Sequence, residues 1–345
     1  MQRLASLLLL LCLASCSPTV AGAGAAAAGA APPVLRTNFP DPFVLPHGDR
    51  YYAYATNMTQ LRANVPIAFS HDLANWQMMG DPESRSGYRD ALPVLPGWAT
   101  AGFTWAPEVL PLGGRFILYF TARHSRTSQQ CIGAAVSADP RGPFVPHGDA
   151  PLVCQHELGG TIDASPFRDA DGQLYLYFKN DGNHPTARRA TEIWGQRLAP
   201  DGLAVLGEPV SLARNDQEWE GHIVEAPFMV RRGDRYILFF SANDFAWHAW
   251  QPLSRYATGF ARCEGPLGPC ADAPENPILA SRRRPDCLSG PGHPMVFEAN
   301  GRQYMAFHAW ATGSNCRSAG DARQMHIARI EWRGDVPVVG GAPGE

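Results

Sequence analysis

The chain has 345 residues, of which 45% are hydrophobic and 18% charged, with a formal net charge of −3 and a sequence pI near 6.4. This balance lacks the basic excess that nucleic-acid binding requires, so we expect no nucleic-acid partner. The 34 glycines and 31 prolines exceed average usage. In a chain this apolar they indicate a turn-rich folded protein and exclude a disordered one.

The N-terminus has the pattern of an export signal. Arg3 precedes an apolar run over residues 4–14, which is too short to span a bilayer. The run ends in Leu13-Ala14-Ser15-Cys16, which resembles a bacterial lipobox with Cys16 as the lipidated residue. We therefore predict a lipoprotein signal peptide over residues 1–15 and an Ala/Gly/Pro-rich tether over residues 16–35, so that the N-terminal lipid is the only membrane contact. The alternative is a secretory signal cleaved within residues 21–30.

One pattern then occurs five times along the chain. A proline and a short apolar run lead to a Gly- or Asn-containing turn, which is followed by a run of aromatic and aliphatic residues, as expected of a β-hairpin. The prolines lie at positions 42, 107, 166, 227 and 294.

The spacing of these hairpins predicts the fold class. A period of about 60 strand-forming residues indicates an array of small antiparallel sheets. A third strand-like run follows each hairpin, beginning at Ile67, Ala134, Ile193, Ala257 and Met325. We therefore predict an all-β protein, a monomeric five-bladed β-propeller with four antiparallel strands per blade, over residues 36–333, followed by a C-terminal tail over residues 334–345.

The cysteines are expected to form disulfides. Six cysteines follow the export signal, and an even number in an oxidising compartment favours pairing. Proximity in sequence favours the pairs Cys131–Cys154, Cys263–Cys270 and Cys287–Cys316. A zinc site is the alternative, but no Cys-x-x-Cys motif or matching histidine spacing is present.

Acidic residues lie shortly before three of the five prolines. The innermost strand of each blade begins at one mouth of the central channel, so Asp41, Asp163 and Glu225 should converge there. Trp105 and His293 occupy the corresponding stretches of the other two blades. Crowded carboxylates push their pKa values apart, which allows one to act as an acid and another as a base. Cleavage of a glycosidic bond needs such a pair.

The same stretches carry a family resemblance that covers about residues 36–333. The chain resembles glycoside hydrolase family 43, whose members are five-bladed propellers acting on arabinose- and xylose-containing polysaccharides. The resemblance rests on the motifs Phe39-Pro40-Asp41-Pro42, Trp105-Ala106-Pro107-Glu108-Val109, Ile162-Asp163-Ala164-Ser165-Pro166-Phe167, Val224-Glu225-Ala226-Pro227 and Gly290-Pro291-Gly292-His293.

This resemblance implies roles for the site residues. Asp41 would be the general base that activates water, Glu225 the general acid, and Asp163 the residue that orients the acid and modulates its protonation. Trp105 would form part of a sugar-binding platform, with a core position between blades as the alternative. His293 would contact substrate or hold a structural calcium ion through water, and no cofactor is required.

Two further polar residues are expected to be structural. Glu108 should point away from the site if its strand alternates regularly. His308 lies one hairpin arm away from the axis and is expected to be a satisfied core histidine.

The implied substrate is an arabinan, an arabinoxylan or an oligosaccharide derived from one of them. We expect an exo-acting α-L-arabinofuranosidase that inverts the anomeric configuration. A β-xylosidase or endo-arabinanase of the same family stays open, because specificity depends on loops around the mouth. A non-catalytic carbohydrate-binding propeller is the alternative from another functional class.

Overall fold

The computed structural model describes residues 31–343 except residues 186, 249, 284 and 285. The predicted signal peptide, Cys16 and most of the tether therefore lie outside the described residues. Strand β1 (Pro33–Leu35) comes first, and the strands that follow form four sheets in chain order. Blade 1 contains β2 (Phe43–His47), β3 (Arg50–Tyr54), β4 (Ile67–Ser70) and β5 (Gln77–Met78); blade 2 contains β6 (Ala99–Leu112), β7 (Arg115–His124), β8 (Gln130–Ser137) and β9 (Val145–His147).

The next two blades repeat this order. Blade 3 contains β10 (Thr161–Arg168), β11 (Leu174–Asn180), β12 (Glu192–Leu198) and β13 (Val205–Arg214); blade 4 contains β14 (Val224–Arg232), β15 (Arg235–Ala242), β16 (Ala257–Cys263) and β17 (Cys270–Asp272). All pairings within these four sheets are antiparallel. The predicted five-bladed β-propeller is confirmed, and each predicted hairpin forms the first two strands of a blade.

Blade 5 closes the ring with both ends of the described chain. It contains β18 (Gly292–Ala299), β19 (Arg302–Thr312), β20 (Ser318–Arg333) and β21 (Val336–Gly340). Both β1 and β21 pair with the long strand β20, at different points along its length. The sheet therefore extends beyond the predicted limits of 36 and 333, because the outer edge of β20 presents unpaired backbone groups that these two segments cover.

The apolar core lies between neighbouring blades. One cluster joins blades 5, 1 and 2, and three further clusters join blades 2 and 3, blades 3 and 4, and blades 4 and 5. Strand β11 reads Leu-Tyr-Leu-Tyr-Phe-Lys-Asn and is buried throughout, because both of its faces pack against neighbouring blades.

Short helices and disulfides complete the described fold. The helices among residues 31–343 are three single-turn 3-10 segments, Thr59–Leu61, His156–Leu158 and Glu218–Glu220, and none is long and apolar enough to cross a membrane. The structure contains the three disulfides that sequence proximity favours, Cys131–Cys154, Cys263–Cys270 and Cys287–Cys316.

Candidate active site

The innermost strands change direction at one mouth of the ring. In β6, β10, β14 and β18 two residues stand opposite one residue of the partner strand, which defines a β-bulge. The first bulge residue has a positive φ in each case, and Asp41 before β2 shares this conformation. The φ values are 55° at Asp41, 44° at Ala106, 58° at Asp163, 54° at Ala226 and 56° at His293.

These bulges correct the alignment of the repeat. The second bulge residue is a proline in blades 2, 4 and 5, but in blade 3 it is Ala164, two residues before Pro166. Asp41, Asp163 and His293 therefore occupy equivalent positions. Glu225 lies one position earlier in its blade, where blade 2 has Trp105. The sequence pattern could not reveal this shift, because blade 3 also carries a proline nearby.

A cavity of about 520 Å³ opens at this mouth. All five residues predicted for catalysis or substrate binding line it, which are Asp41, Trp105, Asp163, Glu225 and His293. Its walls also include Thr56, Arg123, Lys179, Asp181, Phe245 and Arg323, which the sequence pattern did not single out.

Asp41 is held as a carboxylate. Its Oδ1 lies 2.9 Å from a guanidinium nitrogen of Arg323, and its Oδ2 accepts a hydrogen bond of 2.5 Å from the Thr56 hydroxyl. His293 Nδ1 lies 3.5 Å from Oδ1. Burial acts to raise the pKa of Asp41, but Arg323, His308 and His293 together outweigh it and hold the pKa well below its usual range.

Glu225 has two strong partners. Its Oε2 lies 2.9 Å from Lys179 Nζ, and its Oε1 accepts a 2.7 Å hydrogen bond from the Tyr256 hydroxyl. Lys179 is fully buried and also donates to Asn183 Oδ1 at 2.6 Å. Burial acts to lower the pKa of Lys179, but Glu225, Asp181 and Asp163 outweigh it and raise the pKa. Lys179 therefore stays charged beside Glu225.

The charges of Glu225 and Asp41 both act on Asp163. Burial raises the pKa of Asp163 to about 6, and the charges of Glu225 and Asp41 add to this while His293 and Lys179 oppose it. Its Oδ2 accepts a 2.9 Å hydrogen bond from the backbone N–H of Ala226, the residue after Glu225. Asp163 thus fixes the bulge that aims Glu225 into the cavity.

Side chains at the end of the second strands join four of these positive-φ residues to the preceding blade. The N–H of Ala106 donates to the Thr56 hydroxyl, two residues after β3, and the N–H of Asp163 donates to the Thr121 hydroxyl. In the same way, the N–H of His293 donates to the Ser241 hydroxyl and that of Asp41 to His308 Nδ1. Blade 3 has Lys179 at the equivalent position. An ammonium group has no lone pair to accept a hydrogen bond, so Asp163 accepts the N–H of Ala226 in its place.

His308 is one of the side chains that join neighbouring blades, and it contacts Asp41 directly. It is buried, and its Nδ1 lies 3.2 Å from both the backbone nitrogen and Oδ1 of Asp41. Its Nε2 has no hydrogen-bond partner among the described residues, so the expected satisfied core histidine is not what the structure contains. Burial, with the charge of Arg323, lowers the pKa of His308 to about 4, so the ring is neutral at pH 7.

Glu108 does not line the cavity but lies close to it. The bulge sets Trp105 and Glu108 opposite Thr121 and Tyr119, two residues apart on β7, so the regular alternation expected for this strand does not hold. Burial raises the pKa of Glu108 well above its usual range, and the charge of Asp163 adds to this effect. Both effects favour the neutral, protonated form of Glu108.

Aromatic groups form part of the cavity wall. Trp105 is half-buried there, and Phe245 is 40% exposed with the Arg323 guanidinium 5.4 Å from its ring centroid. Trp105 thus lines the cavity, which is where the predicted sugar-binding role would place it. Phe245 follows β15 in a loop, where no repeat marks it in the sequence.

A metal ion at His293 would find few protein ligands. Among the described residues, no set of three possible ligand atoms that includes His293 lies close enough together to hold one ion. His293 and Asp41 could supply at most two donors to a cation, so water would have to complete its coordination. The residues present fit only a water-coordinated ion there.

Three acids with different partners at the mouth of a five-bladed propeller define the class of a glycoside-cleaving enzyme. The family model of glycosyl hydrolases family 43 matches residues 30–337, and the chain belongs to this family. It is 23% identical over 315 residues to the extracellular exo-α-(1→5)-L-arabinofuranosidase ArbA of Cellvibrio japonicus, covering 86% of this chain and 84% of that protein.

Two further comparisons define the range of relatives. A xylosidase/arabinosidase of Butyrivibrio fibrisolvens is 26% identical over 317 residues, which cover 89% of this chain and 56% of that protein. The chain thus spans only about half the length of this relative. The crystal structure of a thermostable family-43 glycoside hydrolase superposes with a TM-score of 0.74 at 29% identity, covering 90% of this chain and 95% of that one.

Proposed function

We propose that this protein is an exo-acting α-L-arabinofuranosidase that cleaves arabinan, arabinoxylan or their oligosaccharides with inversion. The observation that carries the proposed hydrolysis is the contrast between two acids across one cavity, with Asp41 paired with Arg323 and Glu225 accepting hydrogen bonds from Lys179 and Tyr256. The similarity to an exo-arabinofuranosidase along 84% of that protein supports this specificity. The similarity to a xylosidase/arabinosidase keeps β-xylosidase activity as the runner-up.

In the proposed reaction Asp41 removes a proton from water as the water attacks the anomeric carbon. Glu225 delivers a proton to the glycosidic oxygen as the bond from that oxygen to the anomeric carbon breaks. Asp163 holds Glu225 in position through Ala226. Blades 1 and 4 are not neighbours in the ring, which favours the separation of roughly 6.5–9.5 Å that leaves room for water in inverting enzymes.

The test uses 4-nitrophenyl α-L-arabinofuranoside and 4-nitrophenyl β-D-xylopyranoside with the same enzyme preparation. We expect faster hydrolysis of the arabinofuranoside, and proton NMR of the first-formed sugar should show inversion. Glu225→Gln should spare an aryl arabinoside whose acidic phenol needs no protonation, whereas Asp41→Asn should abolish hydrolysis of both kinds of substrate. Retention of configuration would refute the mechanism. Sugar binding without turnover would favour a carbohydrate-binding propeller.

We also propose that the protein is exported and held at the cell envelope by lipid on Cys16. The apolar run and the Leu13-Ala14-Ser15-Cys16 motif support this, as does the similarity to a relative named extracellular. Cys16→Ala should release the protein from the membrane fraction. An unchanged distribution after fractionation would contradict lipid anchoring.

A further inference from the structure

A second group of acids lies outside the cavity, where blade 3 leads into blade 4. Asp216 and Glu220 belong to the connection between β13 and β14, and Asp272 lies in β17. One carboxylate oxygen from each residue lies within 4.8 Å of the other two. None of these residues lines the catalytic cavity.

Glu220 has an unsatisfied oxygen in this group. The side chain is fully buried, and its Oε2 accepts hydrogen bonds of 2.8 Å and 2.9 Å from the backbone N–H groups of Asp216 and Gln217. Within the described ranges its Oε1 has no hydrogen-bond partner, and neither does Oδ1 of Asp272. A buried carboxylate oxygen without a partner is costly, so each one in a native fold calls for a ligand or another explanation.

The group has no ion-pair partner among the side chains that the structure describes. In the described part of the chain, no lysine, arginine or histidine lies within ion-pair distance of Asp216, Glu220 or Asp272. Three carboxylates this close together, one of them fully buried, are costly without a counter-charge.

We propose that Asp216, Glu220 and Asp272 bind a divalent cation of the calcium type. The ligands are all oxygens, and Glu220 Oε1 and Asp272 Oδ1 are free to coordinate. Calcium accepts oxygen ligands at 2.3–2.6 Å in irregular geometries, so two ligands on opposite sides can be about 5 Å apart. Magnesium demands a tighter octahedron with ligands at 2.0–2.1 Å. Oxygens up to 4.8 Å apart therefore fit calcium better.

The acidic group is open to solvent and lies next to the segment that leads into Glu225. An open depression of about 260 Å³ is lined by Arg214, Asp216 and Asp272, so an ion can reach the carboxylates from solvent. Arg214 is paired with Glu192 at 3.1 Å. The backbone oxygen of Glu220 accepts hydrogen bonds from Ile223 N–H at 3.3 Å and Asn243 N–H at 2.9 Å. The bound ion would tie β17 to the segment that leads into Glu225. Its proposed role is to stiffen that segment.

The experiment has two measurements on the EDTA-stripped full-length protein: isothermal titration calorimetry with CaCl₂ gives Kd, and thermal unfolding with and without CaCl₂ gives Tm. Wild type should bind Ca²⁺ and gain roughly 5 °C in Tm near 100-fold excess over Kd. Asp216→Asn and Asp272→Asn should each weaken binding at least about tenfold and lose the Tm gain, because even outer partners of a metal contribute 10- to 100-fold. Asp234→Asn is the matched control, since it removes one carboxylate from an exposed turn of blade 4.

A fourth variant separates this site from the cavity. His293→Ala should bind Ca²⁺ at the acidic group as wild type does. If His293→Ala loses the ion while Asp216→Asn and Asp272→Asn keep it, the ion belongs to the cavity and the proposal is wrong. Unchanged Kd and stoichiometry in both acidic variants, or no binding by wild type up to about 10 mM, would equally overturn it.

Discussion

Asp163 is the residue whose protonation should shape the pH dependence of the reaction. Its pKa of about 6 lies well above the ordinary aspartate value, because it is buried close to Glu225 and Asp41. A carboxyl group of this kind ionises between about pH 5 and 7. Asparagine at this position can still accept the Ala226 N–H but cannot ionise, so the bulge should survive the substitution.

We therefore predict that wild-type kcat/KM has a limb near pH 6 that Asp163→Asn removes. The variant should lose at least about tenfold in rate, which is less than the 10²- to 10⁴-fold typical of losing a general acid or base. The measurement is kcat/KM between pH 4 and pH 9 for both proteins. Thr121→Val, which removes only the acceptor for the Asp163 N–H, serves as the control and should keep the limb. A limb at pH 6 in the asparagine variant would contradict the assignment.

Lys179 and Glu225 should depend on each other for stability. Both are buried, and removal of one partner from a buried ion pair leaves an uncompensated charge that costs about 3–5 kcal/mol. Lys179→Met should therefore lower the free energy of unfolding by about that amount. In an enzyme that already carries Glu225→Gln, the same change should cost much less, because no glutamate charge remains to be paired.

Urea unfolding of the four proteins in this double-mutant cycle measures the coupling. A coupling energy near zero would show that Lys179 acts through Asp163 or Asp181 in place of Glu225. The m-value should stay constant across the four proteins if only stability changes.

At the residue scale the sequence revealed the acids but not their partners. Asp41, Asp163 and Glu225 stand near the start of repeated strands, so a repeat pattern finds them. Lys179, Arg323 and His308 lie on the second or third strands of their blades, and only strand register and blade order bring them to the site. The one available signal was Lys179 itself, a lysine near the end of an apolar strand.

At the scale of the strand, the bulges should differ in their tolerance of glycine. Ala106 is held at a φ of 44°, a conformation that costs an L-residue about 1–2 kcal/mol and glycine almost nothing. Ala164, the second residue of the blade 3 bulge, has no positive φ and is equally buried. Ala164→Gly should therefore cost about 1 kcal/mol, and Ala106→Gly should be less destabilising by about 1 kcal/mol or stabilising.

Denaturant midpoints of the two glycine variants decide this prediction. Equal losses of stability in the two variants would mean that the positive φ at Ala106 stores no strain.

The bulges also show which part of the strand structure the sequence could not predict. Alternation and turn residues predicted the hairpins, whereas a bulge adds one residue without any residue type that announces it, as Ala164 shows in blade 3.

At the scale of the whole molecule, the ring is closed beside the site. The β1 residues Pro33 and Leu35 pair with His326 and Met325 of β20, and the side-chain oxygen of Asn38 accepts the N–H of Arg323. The backbone of Phe39 also donates to the carbonyl of Arg323 at 2.7 Å. The repeat predicted five blades, but it could not show which segments complete the last one, because β1 and β21 are short and lie outside the period.

This closure predicts different effects for the two segments that cover β20. A chain that starts at Thr37 loses β1 with its buried Leu35, and should be less stable than a chain that starts at Ala31 by about 3 kcal/mol or more. It should also lose activity, because β1 no longer pairs with Met325 and His326, which follow Arg323 closely on β20, and Arg323 is the partner of Asp41.

A chain that ends at Gly334 loses β21, which pairs with β20 at residues 329–333, farther from Arg323. That chain should lose stability but keep the wild-type kcat/KM at a temperature where it is folded. Urea unfolding and kinetics on the three truncated chains separate the effects, and equal activity in the chains that start at Thr37 and Ala31 would show that ring closure does not position the site.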